Sequence, residues 1–71
     1  MVKVHVPYLG TSEQCFDKQT GLLSVEDGTT MGDVIDHFGL HHYAVMVNYE
    51  FTKDDYVLQD DDWIIMLPTG G

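Results

Sequence analysis

Hydrophobic and polar positions alternate from the start of the chain. Val2, Val4 and Val6 are separated by Lys3 and His5, and a period of two predicts a strand with one buried face. Pro7 limits central pairing because it has no N–H to donate, and Tyr8 and Leu9 extend the segment to Gly10. Residues 10–21 follow neither periodicity and predict a long connection, under which Cys15 and Phe16 can tuck. Gly21-Leu22-Leu23-Ser24-Val25-Glu26 reads as a second strand, stopped by the turn dipeptide Asp27-Gly28.

The period then changes. Met31, Val34, Ile35 and Phe38 fall at i, i+3, i+4 and i+7, so they share one face of a helix of about nine residues. Thr30 is suited to the N-cap, and Asp33 places negative charge in the first turn, where the helix dipole favours it. Gly39 stands where a left-handed residue usually ends a helix, with Leu40 able to fold back on the last turn. So short a helix needs a sheet to lie on.

Two continuously apolar runs complete the pattern. Tyr43-Ala44-Val45-Met46-Val47 suits a central strand covered on at least one face, and Asn48-Tyr49-Glu50 reads as the turn after it. Phe51 can staple the segment after that turn, Tyr56-Val57-Leu58 is a short edge-like piece, and Gln59-Asp60-Asp61-Asp62 is a charged turn. The last strand is Trp63-Ile64-Ile65-Met66-Leu67, and Pro68 should end its ladder. The order strand, strand, helix, strand, short strand, strand predicts an α+β domain. One main helix packs on a mixed sheet of four to five strands.

Length adds that there is a single core. At 71 residues a chain folds as one domain and buries about 60% of the surface its unfolded form exposes. We divide it into a folded part, residues 1–67, and a tail, residues 68–71. The longest uncharged apolar run, residues 63–68, is far short of a membrane span, and the first four residues alternate where a signal peptide would be continuously apolar. A cytoplasmic protein is expected.

Charge narrows the partners. Three lysines and no arginine stand against twelve carboxylates, for a net charge of −9. Six of the twelve (Glu50, Asp54, Asp55, Asp60, Asp61 and Asp62) lie between positions 50 and 62, offset there only by Lys53. Nucleic acid and anionic membrane are excluded as expected partners, because their phosphates would be repelled. A basic protein surface is the complement, and such steering chiefly raises association rates. The competing reading is that the carboxylates only keep a small domain soluble.

Candidate side-chain chemistry is sparse. The single Cys15 permits no internal disulfide and cannot hold an iron–sulfur cluster. Only Lys18 offers a nearby cation, so a part-buried structural thiol is expected. His37 and His41 have the spacing of a metal pair, with His42 beside them, but Gly39 breaks the helix that would align them. Asp54-Asp55 and Asp60-Asp61-Asp62 lack the glycine and distal glutamate of a calcium loop and read as solvated turns. No metal is expected. Met31, Met46 and Met66 suit the core, although a methionine or Phe51 on the sheet face would serve as a partner anchor.

The sequence closes on Leu67-Pro68-Thr69-Gly70-Gly71. Two glycines add nothing to a core, and their bare backbone can be threaded through a channel that any side chain would obstruct. A frayed end is the plain alternative. The element order, the segment Val45-Met46-Val47-Asn48-Tyr49-Glu50, the acidic turn Leu58-Gln59-Asp60-Asp61-Asp62 and the Pro68-Thr69-Gly70-Gly71 end together resemble the MoaD/ThiS family of ubiquitin-like sulfur carriers. The likeness covers about the last 45 residues well and the first strand plausibly. Members commonly carry Asn-Gly after the third strand. This chain has Asn48-Tyr49, which does not by itself predict a tight turn with both φ angles positive.

The resemblance implies a β-grasp fold, with the first and last strands side by side and parallel. It also implies that this chain is not itself an enzyme and binds no cofactor. A partner adenylyltransferase related to ubiquitin-activating enzymes uses ATP and Mg²⁺ to adenylate the Gly71 carboxylate. A persulfide then converts it to a thiocarboxylate, consumed by a sulfur-acceptor enzyme such as a molybdopterin synthase large subunit or a thiazole synthase. Gly70, Thr69 and Pro68 would be the threaded lead, with Phe51 a further contact. Two other classes stay open: a ubiquitin-like modifier joined through Gly71, and an acidic binding module whose tail is incidental.

Overall fold

The computed structural model describes residues 1–7, 9 and 13–68. Expectations that fall on Tyr8, on residues 10–12 and on Thr69, Gly70 and Gly71 lie outside the described residues. The alternating start forms β1 (Val2–His5). It pairs antiparallel with β3 (Leu22–Val25), Val4 opposite Leu23 and Val2 opposite Val25, so that the valines meet apolar partners on one face. Between them lies an element that was expected to be connection. The two-residue strand β2 (Phe16–Asp17) lines the other flank of β3 and buries Phe16. Two residues are too few to show a period, which is why the pattern does not reveal it.

Helix α1 (Met31–Phe38) starts and stops where its signals lie. Thr30 caps it by accepting from the Asp33 N–H at 3.2 Å, while the Asp33 carboxylate accepts from the Thr30 N–H at 3.0 Å. Asp33 thus does more than face the dipole: it closes a reciprocal capping box. These contacts hold its carboxyl below the usual carboxylate range. The N–H groups of Met31 and Gly32 donate instead to the carbonyls of Tyr56 and Asp54, at 2.9 and 2.8 Å. At the far end Gly39 is left-handed, and Leu40, now buried, donates to Ile35.

The close approach at Gly32 yields a test. A Cβ there would lie 3.1 Å from both the Cβ and the carbonyl oxygen of Asp54. Gly to Ala in a helix ordinarily stabilises by up to about 1 kcal/mol. Gly32→Ala is expected to destabilise by about 1 kcal/mol instead, because it pushes away a backbone that caps the helix. Urea denaturation gives the sign directly.

The second half of the chain is a meander. β4 (Tyr43–Val47) pairs antiparallel with β5 (Glu50–Phe51) on one side and β6 (Ile64–Pro68) on the other. Val47 faces Glu50 across a two-residue turn in which Asn48 has φ 54° and Tyr49 has φ 67°. The tight turn forms without glycine because Asn48 is tethered: its side chain donates to Asp62 at 2.8 Å and accepts from the Trp63 N–H at 3.0 Å. The piece expected at 56–58 is reduced to a single bridge, Val57 opposite Thr30, which holds Leu58 in the core.

Among the described residues, six strands therefore form two three-stranded antiparallel sheets, ordered β1-β3-β2 and β5-β4-β6. They join where the first and last strands run parallel, at one bridge between His5 and Trp63. The expected continuous mixed sheet narrows to this point because β1 turns away. Val6 gives its N–H to Gly21 at 2.7 Å, and Pro7 has none to give. Val4, Val6, Leu23, Met31, Val34, Leu58 and Ile64 are buried together between the helix and both sheets. This is the α+β, β-grasp arrangement.

Candidate functional site

The expected reactive group, the Gly71 carboxylate, follows β6 in the sequence. The structure brings Pro68 into that strand, opposite Tyr43, one residue beyond the expected limit. Asn48 N–H donates to the Trp63 carbonyl at 2.8 Å, which makes 48/63 a hydrogen-bonded pair. Alternation then puts 43/68 at a non-hydrogen-bonded position, where the missing proline N–H costs nothing. Thr69, Gly70 and Gly71 lie outside the described residues. What the structure supplies is the base from which they leave: a strand paired to β4 over its whole length.

Both β4 and β6 are apolar throughout, yet among the described residues there is one helix with which to cover them. Val47, Ile64, Val45 and Met66 point to the helix side and join or pack on the core. The alternate residues form the outer face. Phe51, Met46 and Ile65 lie in a row across β5, β4 and β6, with Ala44 and Leu67 in the next row. Trp63 continues this face, its ring stacked on His5 at 4.2 Å and 5°. Phe51 is 71% exposed, and Leu67 and Trp63 are each nearly half exposed. Exposed aromatic and aliphatic groups are here gathered into one apolar patch on a rigid sheet. It runs along β6 towards the tail. Phe51 or an exposed methionine was the candidate from sequence; Met46, expected in the core, lies instead on this outer face because it alternates with Val45 and Val47, while Ile65, Leu67 and Trp63 were not assigned to it. Their signal was the unbroken apolar character of two strands beside a single predicted helix.

The acidic turn divides. Asp62 was read as part of a solvated turn, but it is only 5% exposed. Its carboxylate accepts from the Asn48 side chain, the Tyr56 hydroxyl and the Gln59 N–H, each at 2.8 Å. A carboxylate so engaged is an internal tether between the β4–β5 turn and the start of β6. Asp60 is also engaged, accepting from the Lys3 N–H at 3.0 Å. Asp61 stays at the surface, 3.5 Å from the His5 ring nitrogen.

Donation to Asp62, with partial burial and the nearby negative charge, raises the Tyr56 phenol above its ordinary value. A pKa raised in the fold means that the associated stability is fully present below about pH 10, the unfolded value, and is lost as pH rises through the folded one. Tyrosinate absorbance in alkali should show a late step above the ordinary tyrosine value. Tyr56→Phe should remove that late step.

The remaining candidates are dispersed. His37 is held by Glu13 at 2.8 Å and His41 by Asp36 at 3.1 Å, so the two histidines serve separate carboxylates. Among the described residues, no three His, Cys, Asp or Glu side chains are grouped to hold a metal ion. The Asp54 carbonyl is occupied by the helix N-terminus. Cys15 is free and half-buried. Among the described residues, no helix is long and apolar enough to cross a membrane.

No curated protein and no solved structure matched the chain significantly. A family model did: the one for the ThiS family matches residues 6–71, through the last strand and to the second of the two glycines. With a β-grasp body and the last strand leading into Gly70-Gly71, the chain belongs to the ThiS family of ubiquitin-like sulfur carriers.

Proposed function

We propose that this chain carries sulfur as a thiocarboxylate on Gly71 and delivers it to an acceptor enzyme of cofactor biosynthesis, of the molybdopterin or thiamine type. The observation that carries the reading is the family match reaching residue 71 on a body whose last paired strand ends at Pro68. An α-carboxyl with a pKa of about 3.3–3.7 is ionised at neutral pH. Its oxygen attacks the α-phosphate of ATP held with Mg²⁺ by an activating partner, and pyrophosphate leaves. A persulfide on the partner side then displaces AMP, and a second partner thiol attacks the resulting acyl disulfide, freeing the thiocarboxylate and leaving a disulfide on the partner. Adenylyl transfer depends on positioning and electrostatics that the partner provides. This chain contributes the carboxylate and a body that aims it, and catalyses nothing.

The outer sheet face is where the activating and acceptor partners dock. Phe51, Leu67 and Trp63 supply apolar anchors, and a net charge of −9 favours a basic surround on the partner. Mass spectrometry of the chain incubated with its activating enzyme, ATP and a sulfur source should show one terminal oxygen exchanged for sulfur. An unchanged carboxylate under active conditions, or an isopeptide bond to protein lysines in its place, would overturn the reading. Phe51→Ala should weaken docking by about 2 kcal/mol, raising KM for the carrier far more than it lowers kcat.

A further inference from the structure

The hairpin tip between β4 and β5 holds a side chain that the fold does not use. Tyr49 has φ 67°, in the left-handed region where a Cβ crowds the following carbonyl oxygen and glycine is the ordinary occupant. Its side chain is 75% exposed and stands outside the core cluster. Among the described residues that side chain makes no hydrogen bond or ring contact. The turn is kept by its neighbour instead, since Asn48 is bound to Asp62 and to the Trp63 N–H. A tyrosine at this position therefore strains the backbone and adds no contact to the fold.

The tip stands at the end of the sheet remote from the tail. Asn48 pairs with Trp63 at one end of the β4–β6 ladder and Tyr43 with Pro68 at the other, so roughly 17 Å separates the two ends. The surroundings of the tip favour a cation. Glu50 follows Tyr49 and is exposed, and Asp61 stands beyond Trp63, beside the His5 ring stacked on it. Trp63 thus has one ring face covered by His5, whereas Tyr49 has no ring against it among the described residues. A guanidinium suits this corner, because it stacks on an aromatic face and pairs with carboxylates.

We propose that Tyr49 is a specificity-determining contact whose exposed ring receives an arginine of the activating enzyme. Gripping the far end of the sheet fixes how far the tail reaches at the near end. The proposal rests on the reading that this enzyme docks on the outer sheet face, and names the partner chemistry at one point of that contact.

The test measures calorimetric binding of the full-length chain to the adenylyltransferase of the same organism, without ATP, beside urea denaturation of each variant. Tyr49→Gly should raise the urea midpoint, because the backbone strain is relieved, and should weaken docking about tenfold, the effect of one desolvated cation–π contact. In turnover that loss should appear in KM, with kcat unchanged. Tyr49→Leu keeps the strain and the apolar bulk but loses the aromatic face, so it should dock as weakly as Tyr49→Gly without gaining stability. Tyr49→Phe should dock as the natural chain does. Unchanged docking of Tyr49→Gly would overturn the proposal and leave the outer face standing as the docking surface. Unchanged docking of Tyr49→Leu would overturn the arginine contact, since apolar bulk would then suffice. A lower urea midpoint for Tyr49→Gly would also overturn the proposal, because the ring would then serve the fold. Failure of the natural chain itself to bind would remove the docking reading, and this contact with it.

Discussion

Asp62→Ala is expected to destabilise the fold by about 3 kcal/mol, the cost of removing a buried charged acceptor from several donors. The substitution leaves the Gln59 N–H, the Tyr56 hydroxyl and the Asn48 amide without the acceptor that each now reaches at 2.8 Å. Loss of the Asn48 tether also releases a turn in which Asn48 and Tyr49 both hold positive φ, a conformation costly for any residue but glycine. For a domain of this size, total stability is roughly 4–10 kcal/mol, so the loss is a large share of it. Asp62→Asn should fall between, since an amide keeps the shape but offers one acceptor oxygen fewer. Asp55→Ala, at an exposed position of the same acidic segment, is expected to change stability by less than about 0.5 kcal/mol. Urea denaturation of the three variants separates these outcomes. Equal, small effects at positions 55 and 62 would mean that the whole segment is only solvated charge.

Gly70→Ala and Gly71→Ala should do the reverse: folding unchanged, transfer sharply slowed. In the proposed mechanism the tail enters a channel on the activating partner, and an added methyl displaces the carboxylate from the α-phosphate. A displacement of about 1 Å in a near-attack geometry costs about a hundredfold in rate. Single-turnover adenylation by the activating enzyme reads this directly, with urea midpoints as the check on folding. Wild-type rates for both variants would remove the threading argument, and with it the reason for glycine at these positions. The two predictions together divide the molecule: Asp62 acts on the body and the glycines on the chemistry.

Steering by the acidic segment has to be divided in the same way. Of the three consecutive aspartates only Asp62 is internal; Asp60, which accepts from the Lys3 N–H, and Asp61 both face solvent, and Asp61 is the one beside His5. Its neighbourhood with His5 and Trp63 places that charge at the margin of the outer face.

How much of this was legible depended on the range of the interactions. The helix was readable to the residue, because Thr30, Asp33 and Gly39 act on backbone within four positions of themselves. β1, β3, β4 and β6 were readable because each repeats an apolar pattern over at least four residues. The Gly70-Gly71 end and its setting were sufficient to suggest the family, since they depend on order along the chain alone. β2 was not readable, being two residues whose only reason to be a strand is the flank of β3. Nor was the turn at Asn48 and Tyr49, which looked wrong for tight geometry until the side chain of Asn48 was seen to be held by Asp62 and Trp63, fourteen and fifteen positions away.

By itself, then, the sequence determined the local elements, the apolar faces, the excess of negative charge and the two glycines that make the C-terminal carboxylate the candidate for chemistry. Tertiary structure alone decided which carboxylate is internal, which backbone carbonyls cap the helix, and that two antiparallel sheets meet at one parallel bridge. It also decided where the unbroken apolar character of β4 and β6 is spent: one face on the core, the other on a surface leading to the tail. The physical reason is that propensities, caps and periods act between near neighbours. Hydrogen bonds of a buried carboxylate and the covering of a sheet face depend on segments that only folding brings together.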